Sequence, residues 1–511
     1  MGSIAVLLAA SVFLSRVVGF LREMALANQL GVGPLTDAYY AAFAIPDWLN
    51  YLLAGGALSV AFIPFYTRTR QRGGEEAASR LLATVLGTMG AATVATTLLL
   101  WFYVDPLIRF QFPRFDPSTQ ALTIRLTRIV LPAQIFFVTG GIVRAVLMAE
   151  GRFATHALAP LLYNGCIIAG GLITGTAEGF AWGVLAGAVL GPWLVPLIDL
   201  ARTHRLWIRV APFDPALRTY LWIALPLMLG LSLLTLDEWY DRWFGGTLAV
   251  GTVAYLGFAR RLMQAPIGVV GQAVATAALP TLSRLYASGQ HGELDRTLLR
   301  TLQGTVGIAL IAGAACFVFA EPLVELVYRH GRFSGSDAVR VASILSIMAW
   351  AVPGWVTQQV AVRAFYARED TWRPMLLGTL VALIAVPLYL ALGRRLGAEG
   401  LAAAGALAIS GNALATLAWA RARHGAPNLR PLLGSVLRSA GIAGLAAFGA
   451  NTALGMFEGE GHWGAIRELA GGGLVFSFCV VIGVLLAGDE SSRGVLRRLG
   501  RRLGIPGLPR G

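Results

Sequence analysis

The sequence predicts an all-α polytopic membrane protein of about fourteen transmembrane helices, built as two parallel six-helix repeats followed by two C-terminal helices. Three observations predict it: an apolar composition, the spacing of the breaks in that composition, and a self-similarity at an offset of about 216 residues. Of the 511 residues, 56% are hydrophobic and 13% charged, and the mean hydropathy is +0.66, too apolar for soluble domains of this length. A spanning helix needs about 20 mostly apolar residues. Dividing the chain at charged, proline and glycine-rich breaks yields segments 3–29, 35–66, 75–104, 118–149, 154–175, 178–201, 214–241, 247–283, 294–328, 336–366, 372–393, 399–421, 432–454 and 465–487. The first begins like a signal-peptide core, Ile4 to Leu14, but continues through Arg16 and Arg22 with no cationic region before it, and reads as a spanning helix.

The self-similarity sets Ala57-Leu-Ser-Val-Ala61-Phe-Ile-Pro64 with Thr67-Arg68 against Ala273-Val-Ala-Thr-Ala277-Ala-Leu-Pro280 with Ser283-Arg284. The same offset relates Asp105-Pro106-Leu107 to Glu321-Pro322-Leu323, and a similar one relates Arg144-Ala145 and Glu150 to Arg363-Ala364 and Glu369. Each matching pair lies six segments apart, an even number, so both copies enter the bilayer in the same direction. Parallel repeats about an axis along the membrane normal are a recurring plan of secondary transporters, with substrate held near the midplane. The expected organisation is a six-helix bundle over 1–212, a second over 213–428, two additional helices over 429–488 and a basic tail over 489–511.

The net charge of +14 points to the membrane rather than to nucleic acid, because the arginines sit in alternate loops and not on one soluble face. Arg68, Arg70 and Arg72, Arg152, Arg202, Arg205 and Arg209, Arg284, Arg296 and Arg300, Arg421 and Arg423, and the tail from Arg493 to Arg510 all fall on one side. That side is expected to be the cytoplasm of a bacterial inner membrane, with both termini on it. The chain has no lysine, which excludes a Walker A nucleotide site and Schiff-base chemistry. No cofactor is expected, and transport is expected to draw on the membrane potential, a cation gradient or a partner. Cys166, Cys316 and Cys479 lack metal-ligand spacing and read as packing residues; the six scattered histidines suggest no metal site either.

Ionisable groups inside spans cost at least ~2.5–3.5 kcal/mol each and usually face a partner or a water-filled cavity. Arg16 lies about 13 residues into its segment, roughly 20 Å deep, and Arg261 about 14 residues into its own from the opposite side. Two such guanidiniums suit a pyrophosphate, since the planar fork grips phosphate oxygens and stays charged when desolvated. Arg22 is a third candidate, while Arg260 reads as a pairing residue. An ion pair between Arg16 and Glu23, or snorkelling to the surface, is the plainer alternative. Asp237 and Asp241 share a helical face at i, i+4 and form a candidate cation site or a solvated helix end. Asp37 opens a segment, where a carboxylate suits the positive end of a helix dipole. Gly183, Gly187 and Gly191 permit close helix approach. Pro46, Pro64, Pro132, Pro226, Pro280 and Pro353 offer kinks.

Several of these motifs resemble the MurJ (MviN) family of lipid II flippases. They are Ser15-Arg16-Val17-Val18-Gly19-Phe20-Leu21-Arg22-Glu23, then Gly31-Val32-Gly33-Pro34-Leu35-Thr36-Asp37-Ala38-Tyr39, and Ala259-Arg260-Arg261-Leu262-Met263 with Pro266, Gly268 and Leu279-Pro280. The resemblance implies a transporter of the multidrug/oligosaccharidyl-lipid/polysaccharide exporter superfamily that flips undecaprenyl-pyrophosphate-linked peptidoglycan precursor outward in cell-wall biogenesis. It implies that Arg16, Arg22 and Arg261 bind substrate and that Asp37, a functional acid, belongs to the same substrate-binding set. The chain departs from the family pattern after Pro46-Asp47-Trp48-Leu49-Asn50: Tyr51 and Gly55 stand where the family carries an arginine and an acid. A helix-7 acid of some sodium-binding relatives matches Asp241, whereas their helix-11 ligands correspond to Ala385 and Tyr389.

The expected function is therefore lipid II translocation by alternating access, with cell-wall synthesis proteins as partners. A flippase for another undecaprenyl-linked glycan, a non-transporting cell-wall scaffold and a membrane glycosyltransferase are the alternatives. The last needs paired acids at a loop boundary, and Asp105, Asp116, Glu458 and Glu460 show no such spacing.

Overall fold

The computed structural model describes residues 2–496 except 54–56, 235, 369, 371, 460, 490, 491 and 495; side chains are described for these except at 2–10, 12, 51–53, 57–61, 156, 225–234, 269, 272, 273, 276 and 277. Gly55, the side chains of Tyr51 and Pro226, Glu369, Glu460 and the tail from 497 onward lie outside the described residues. Among the described residues all regular structure is helical. The chain divides into two compact units, Met1–Ala254 with His330–Ser334, and Tyr255–Arg329 with Gly335–Gly511.

The first unit holds α1 (Gly2–Leu30), α2 (Pro34–Ala41), α3 (Ala44–Leu53), α4 (Ala57–Gln111), α5 (Pro117–Val130), α6 (Ala133–Ala149), α7 (Ala154–Thr174), α8 (Ala177–Ala188), α9 (Val195–Ala201), α10 (Pro215–Leu234) and α11 (Leu236–Gly245). The helix α12 (Thr252–Pro266) starts in it. The second unit holds the rest of α12 and α13 (Ala273–Ala287), α14 (His291–Val318), α15 (Ala320–Tyr328), α16 (Gly335–Ala349), α17 (Ala351–Ala361), α18 (Arg363–Tyr366), α19 (Trp372–His424), α20 (Leu429–Phe457) and α21 (Gly461–Ala487).

Two helices are too long for one crossing. At 1.5 Å per residue, the 55 residues of α4 and the 53 of α19 would each run about 80 Å against a hydrocarbon core of about 30 Å. Each is broken by a glycine with positive φ, Gly74 at 70° and Gly397 at 65°, a conformation that costs a residue with a Cβ far more. The arms therefore match the separate segments expected from hydropathy. Among the described residues eight helices are long and apolar enough to cross a membrane, or nine if α16 and the α17–α18 run, bent by 41°, count as one. Phe102, Ile384, Phe448 and Leu486 stand exposed on such helices, surfaces that lipid solvates and water does not.

Prolines account for several interruptions, because each removes an amide donor and its ring crowds the carbonyl four residues back. The break at Ala42–Phe43 precedes Pro46, that at Leu131 adjoins Pro132, and that at Trp350 precedes Pro353. Pro192 lies within a π turn, Val189–Leu194, and Pro266 directly precedes another, Ile267–Gln272. Pro64 and Pro280, by contrast, sit within uninterrupted helix.

In the first unit α7 and α8 pack through the small residues expected to allow it. A Cβ added at Gly183, Gly187 or Gly191 would come within 2.6, 2.7 and 2.4 Å of the carbonyl oxygens of Cys166, Tyr163 and Ala159. Asp116 caps α5, accepting the amides of Ser118 at 3.1 Å and Thr119 at 3.0 Å. The hydroxyls of Ser118 and Thr119 also donate to it, and together these bonds pull its carboxyl down to about 2. The core of this unit joins α4, α6 and α10 around Phe62, Val85, Ile142, Val146 and Tyr220. Residues 330–334 dock on the end of α1, where the Arg332 amide donates to the Asn28 carbonyl at 3.0 Å. Gly31, with φ of 65°, sits so close that a Cβ would lie 2.6 Å from the Arg332 carbonyl oxygen.

In the second unit Leu294, Leu298 and Leu302 of α14 pack with Val360, Phe365 and Leu417, and Phe319 meets Phe476 edge-on at 5.8 Å. Arg368 pairs with Asp295 at 2.8 Å, tying the turn after α18 to the second turn of α14. Cys316 is buried and Cys166 and Cys479 are half-buried; all three are free thiols.

Candidate functional site

On α1, Glu23 is buried and organises its neighbours. Its Oε1 accepts from Arg22 at 2.5 Å and its Oε2 from the Tyr40 hydroxyl at 2.8 Å. The other arm of Arg22 donates to Asn164 Oδ1 on α7 at 3.0 Å, and Asn164 in turn donates to the Pro160 carbonyl at 2.9 Å. Arg22 thus holds one fixed orientation while remaining partly exposed, its side chain at 21%. Arg16 is half-buried six residues earlier on α1, about 9 Å along the axis. A helix that presents an arginine oriented by a buried carboxylate is suited to an anionic headgroup. Asn164 and Tyr40 carried no signal in the sequence, since neither residue type is unusual where it stands.

Asp37, in the first turn of α2, does not cap its own helix. It is buried and accepts the amides of Gly251 at 2.5 Å and Ala254 at 2.8 Å, in the turn that opens α12. These are donors without partners inside their own helix, and a carboxylate there also meets the positive end of the dipole. The bond of Thr36 Oγ1 to the Gly31 carbonyl, 2.6 Å, steadies the loop that carries Asp37.

Asp237 and Asp241 lie on α11, Asp241 buried and Asp237 half-buried. Between them and α3 sits a network that the sequence reading overlooked. Arg242 is buried, donating to Asp47 at 2.6 Å and to Glu238 at 2.8 Å. The i, i+4 spacing of Glu238 and Arg242 was a legible clue; the third member, Asp47, lies 195 residues away. Trp48 and Trp239 meet edge-on at 5.4 Å beside it. Among the described residues no group of three or more His, Cys, Asp or Glu side chains is placed to hold a metal ion.

In the second unit Arg261 is half-buried on α12 and donates weakly to Gln264 at 3.4 Å, whereas Arg260 is buried. The π turn Ile267–Gln272 begins almost two turns beyond them, a local widening that frequently accompanies functional sites in helices. Ala385 and Tyr389 are both buried; the Tyr389 hydroxyl stands 3.0 Å from where a Cβ on Gly405 would be, so the ring fills the space between the two arms of α19.

A family model described as lipid II flippase MurJ matches residues 26–470. A probable lipid II flippase MurJ of Rhizobium meliloti (strain 1021) is 31% identical over 420 residues, covering 79% of this chain and 78% of the relative. The lipid II flippase MurJ of Burkholderia cenocepacia is 28% identical over 379 residues, covering 71% and 72%. Among solved structures, a lipid II flippase MurJ in an inward closed conformation superposes with a TM-score of 0.78 at 20% identity, over 94% of this chain and 99% of that one. An inward-facing MATE multidrug transporter of the MOP superfamily gives 0.69 at 17% identity, over 80% and 94%, so the fold extends beyond one substrate class. The family match spans most of the chain, and the protein is a multi-pass membrane protein belonging to the lipid II flippase MurJ family.

Proposed function

We propose that the protein is a transporter, not an enzyme, that moves the undecaprenyl-pyrophosphate-linked peptidoglycan precursor lipid II from the inner to the outer leaflet by alternating access. Family membership supports the substrate class, and the observation that carries the reading is the arginine held within α1 by Glu23 and Asn164. An arginine fixed at two points yet still partly exposed can offer its remaining N–H groups to an anion, which supports this reading. Arg16, Arg22 and Arg261 are the proposed pyrophosphate ligands. Asp37 acts by positioning, through the opening turn of α12, and Asp237 and Asp241 remain the proposed cation site.

The arginine-rich loops support placing both termini in the cytoplasm of a bacterial inner membrane. With no lysine for a Walker A loop, the energy comes from the membrane potential or a cation gradient, and cell-wall synthesis proteins are the expected partners. The Tyr51 and Gly55 departures favour a second reading, in which the cargo is another undecaprenyl-linked glycan. Expression in a bacterium depleted of its own lipid II flippase separates the two. Restored growth supports lipid II; failure by a protein that reaches the membrane in normal amount favours the other glycan.

A further inference from the structure

Two adjoining apolar crevices, of about 630 and 340 Å³, lie along one flank of α20 and share Leu310, Trp350 and Pro353. They run from Arg430 to Ala447, about 26 Å at the helical rise, most of the way across a hydrocarbon core. Each falls within the volume range of small-molecule sites. In the larger, Thr357, Ser410 and Arg430 are the hydrogen-bonding side chains apart from the Trp350 indole. Small residues carve the track. At Gly444 an added Cβ would meet no atom within 4 Å, so the space beside α20 is open and not a packed interface.

Arg430 stands at the end of this track. It is exposed and makes no ion pair among the described residues, and its amide is capped by Asn428 at 3.3 Å. A guanidinium at the membrane boundary, the first turn of a helix behind it, and an apolar slot leading inward together reproduce the polarity of an anionic lipid. Basic pockets between spanning helices are known to take such headgroups. We propose that this crevice is a binding site for an anionic diacyl phospholipid of the bilayer, with its phosphate on Arg430 and one acyl chain along α20 past Trp350 towards Gly444. This lipid is distinct from any transported cargo, and the site lies wholly within the second unit.

Trp350 is a built-in reporter, exposed and lining both crevices. The full chain is reconstituted in phosphatidylcholine vesicles containing a small fraction of acyl-brominated phosphatidylglycerol or acyl-brominated phosphatidylcholine. The Trp350 signal is the difference between the protein and its Trp350→Phe variant. The brominated phosphatidylglycerol should quench it about fivefold more effectively, the preference that one arginine near an anionic surface confers. Arg430→Gln should equalise the two lipids, and Gly444→Leu should reduce quenching by both by filling the slot. Equal quenching by both lipids in the wild-type protein would mean ordinary boundary lipid and overturn the proposal. So would an anionic preference that survives Arg430→Gln, or absence of quenching with Ala440→Cys cross-linking between copies, which would assign the track to a helix of a second molecule.

Discussion

Removing the Asp37 carboxylate should loosen the first turn of α12 by an amount set by two hydrogen bonds. The carboxylate is buried and accepts the Gly251 and Ala254 amides at 2.5 and 2.8 Å. Each bond contributes about 0.5–1.5 kcal/mol net, so Asp37→Ala removes about 2 kcal/mol for the pair. Local opening should then rise by roughly 30-fold, at about 1.4 kcal/mol per factor of ten. Asp37→Asn keeps one carbonyl acceptor but turns an amide donor towards the second N–H, and should fall between Ala and wild type. Hydrogen–deuterium exchange in lipid nanodiscs, read on peptides covering 248–256, measures this directly. Exchange in Asp37→Ala as slow as in the wild type would refute the capping role.

Glu23→Ala should cost about 2–3 kcal/mol and lower the thermal midpoint in detergent, because it strips Tyr40 and Arg22 of a shared buried acceptor; an unchanged midpoint would show that the cluster contributes no net stability. Asp116→Ala should cost about 1 kcal/mol through loss of the α5 cap. The carboxyl is held at about 2, below its ordinary 3.8, so its contribution is complete above about pH 4 and fades as the pH falls towards 2. Thermal scans of wild type and variant should therefore converge across that window, and a constant gap would contradict the hydrogen-bonded cap. Gly187→Leu should prevent accumulation in the membrane, since even its Cβ would lie 2.7 Å from the Tyr163 carbonyl oxygen, whereas Gly378→Leu on α19, with nothing within 4 Å, should be tolerated. Equal yields of the two, by membrane immunoblot, would deny that the α7–α8 contact is tight.

What the sequence revealed and what it hid divide along the range of the interactions. Hydropathy breaks located the helices because membrane insertion is decided over about 20 consecutive residues, and Gly74 and Gly397 fall in breaks drawn from the sequence. The Gly183, Gly187 and Gly191 stripe was legible for the same reason: a four-residue period is local. The helical setting of Arg16, Arg22 and Arg261 was readable, but not the distant group that holds Arg22. Asn164 lies 142 residues from Arg22, and Asp47 lies 195 from Arg242. Asp37 looked like a cap for its own helix, and the donors it serves are 214 and 217 residues away. Partners of that kind are chosen by tertiary packing, which no periodicity records. The π turns at Val189–Leu194 and Ile267–Gln272 were also hidden, although Pro192 and Pro266 signalled a local break without its form.

The proposed mechanism rests on guanidiniums of α1 and α12 carrying an anionic lipid-linked cargo. Its most direct test is the amount of lipid II exposed on the outer leaflet of cells that depend on this protein alone, probed with an externally added lipid II-binding reagent. Arg16→Glu and Arg261→Glu proteins, confirmed in the membrane at wild-type levels, should leave lipid II on the inner leaflet and fail to support growth. Normal outer-leaflet lipid II with either charge-reversed protein would contradict the arginine-based mechanism.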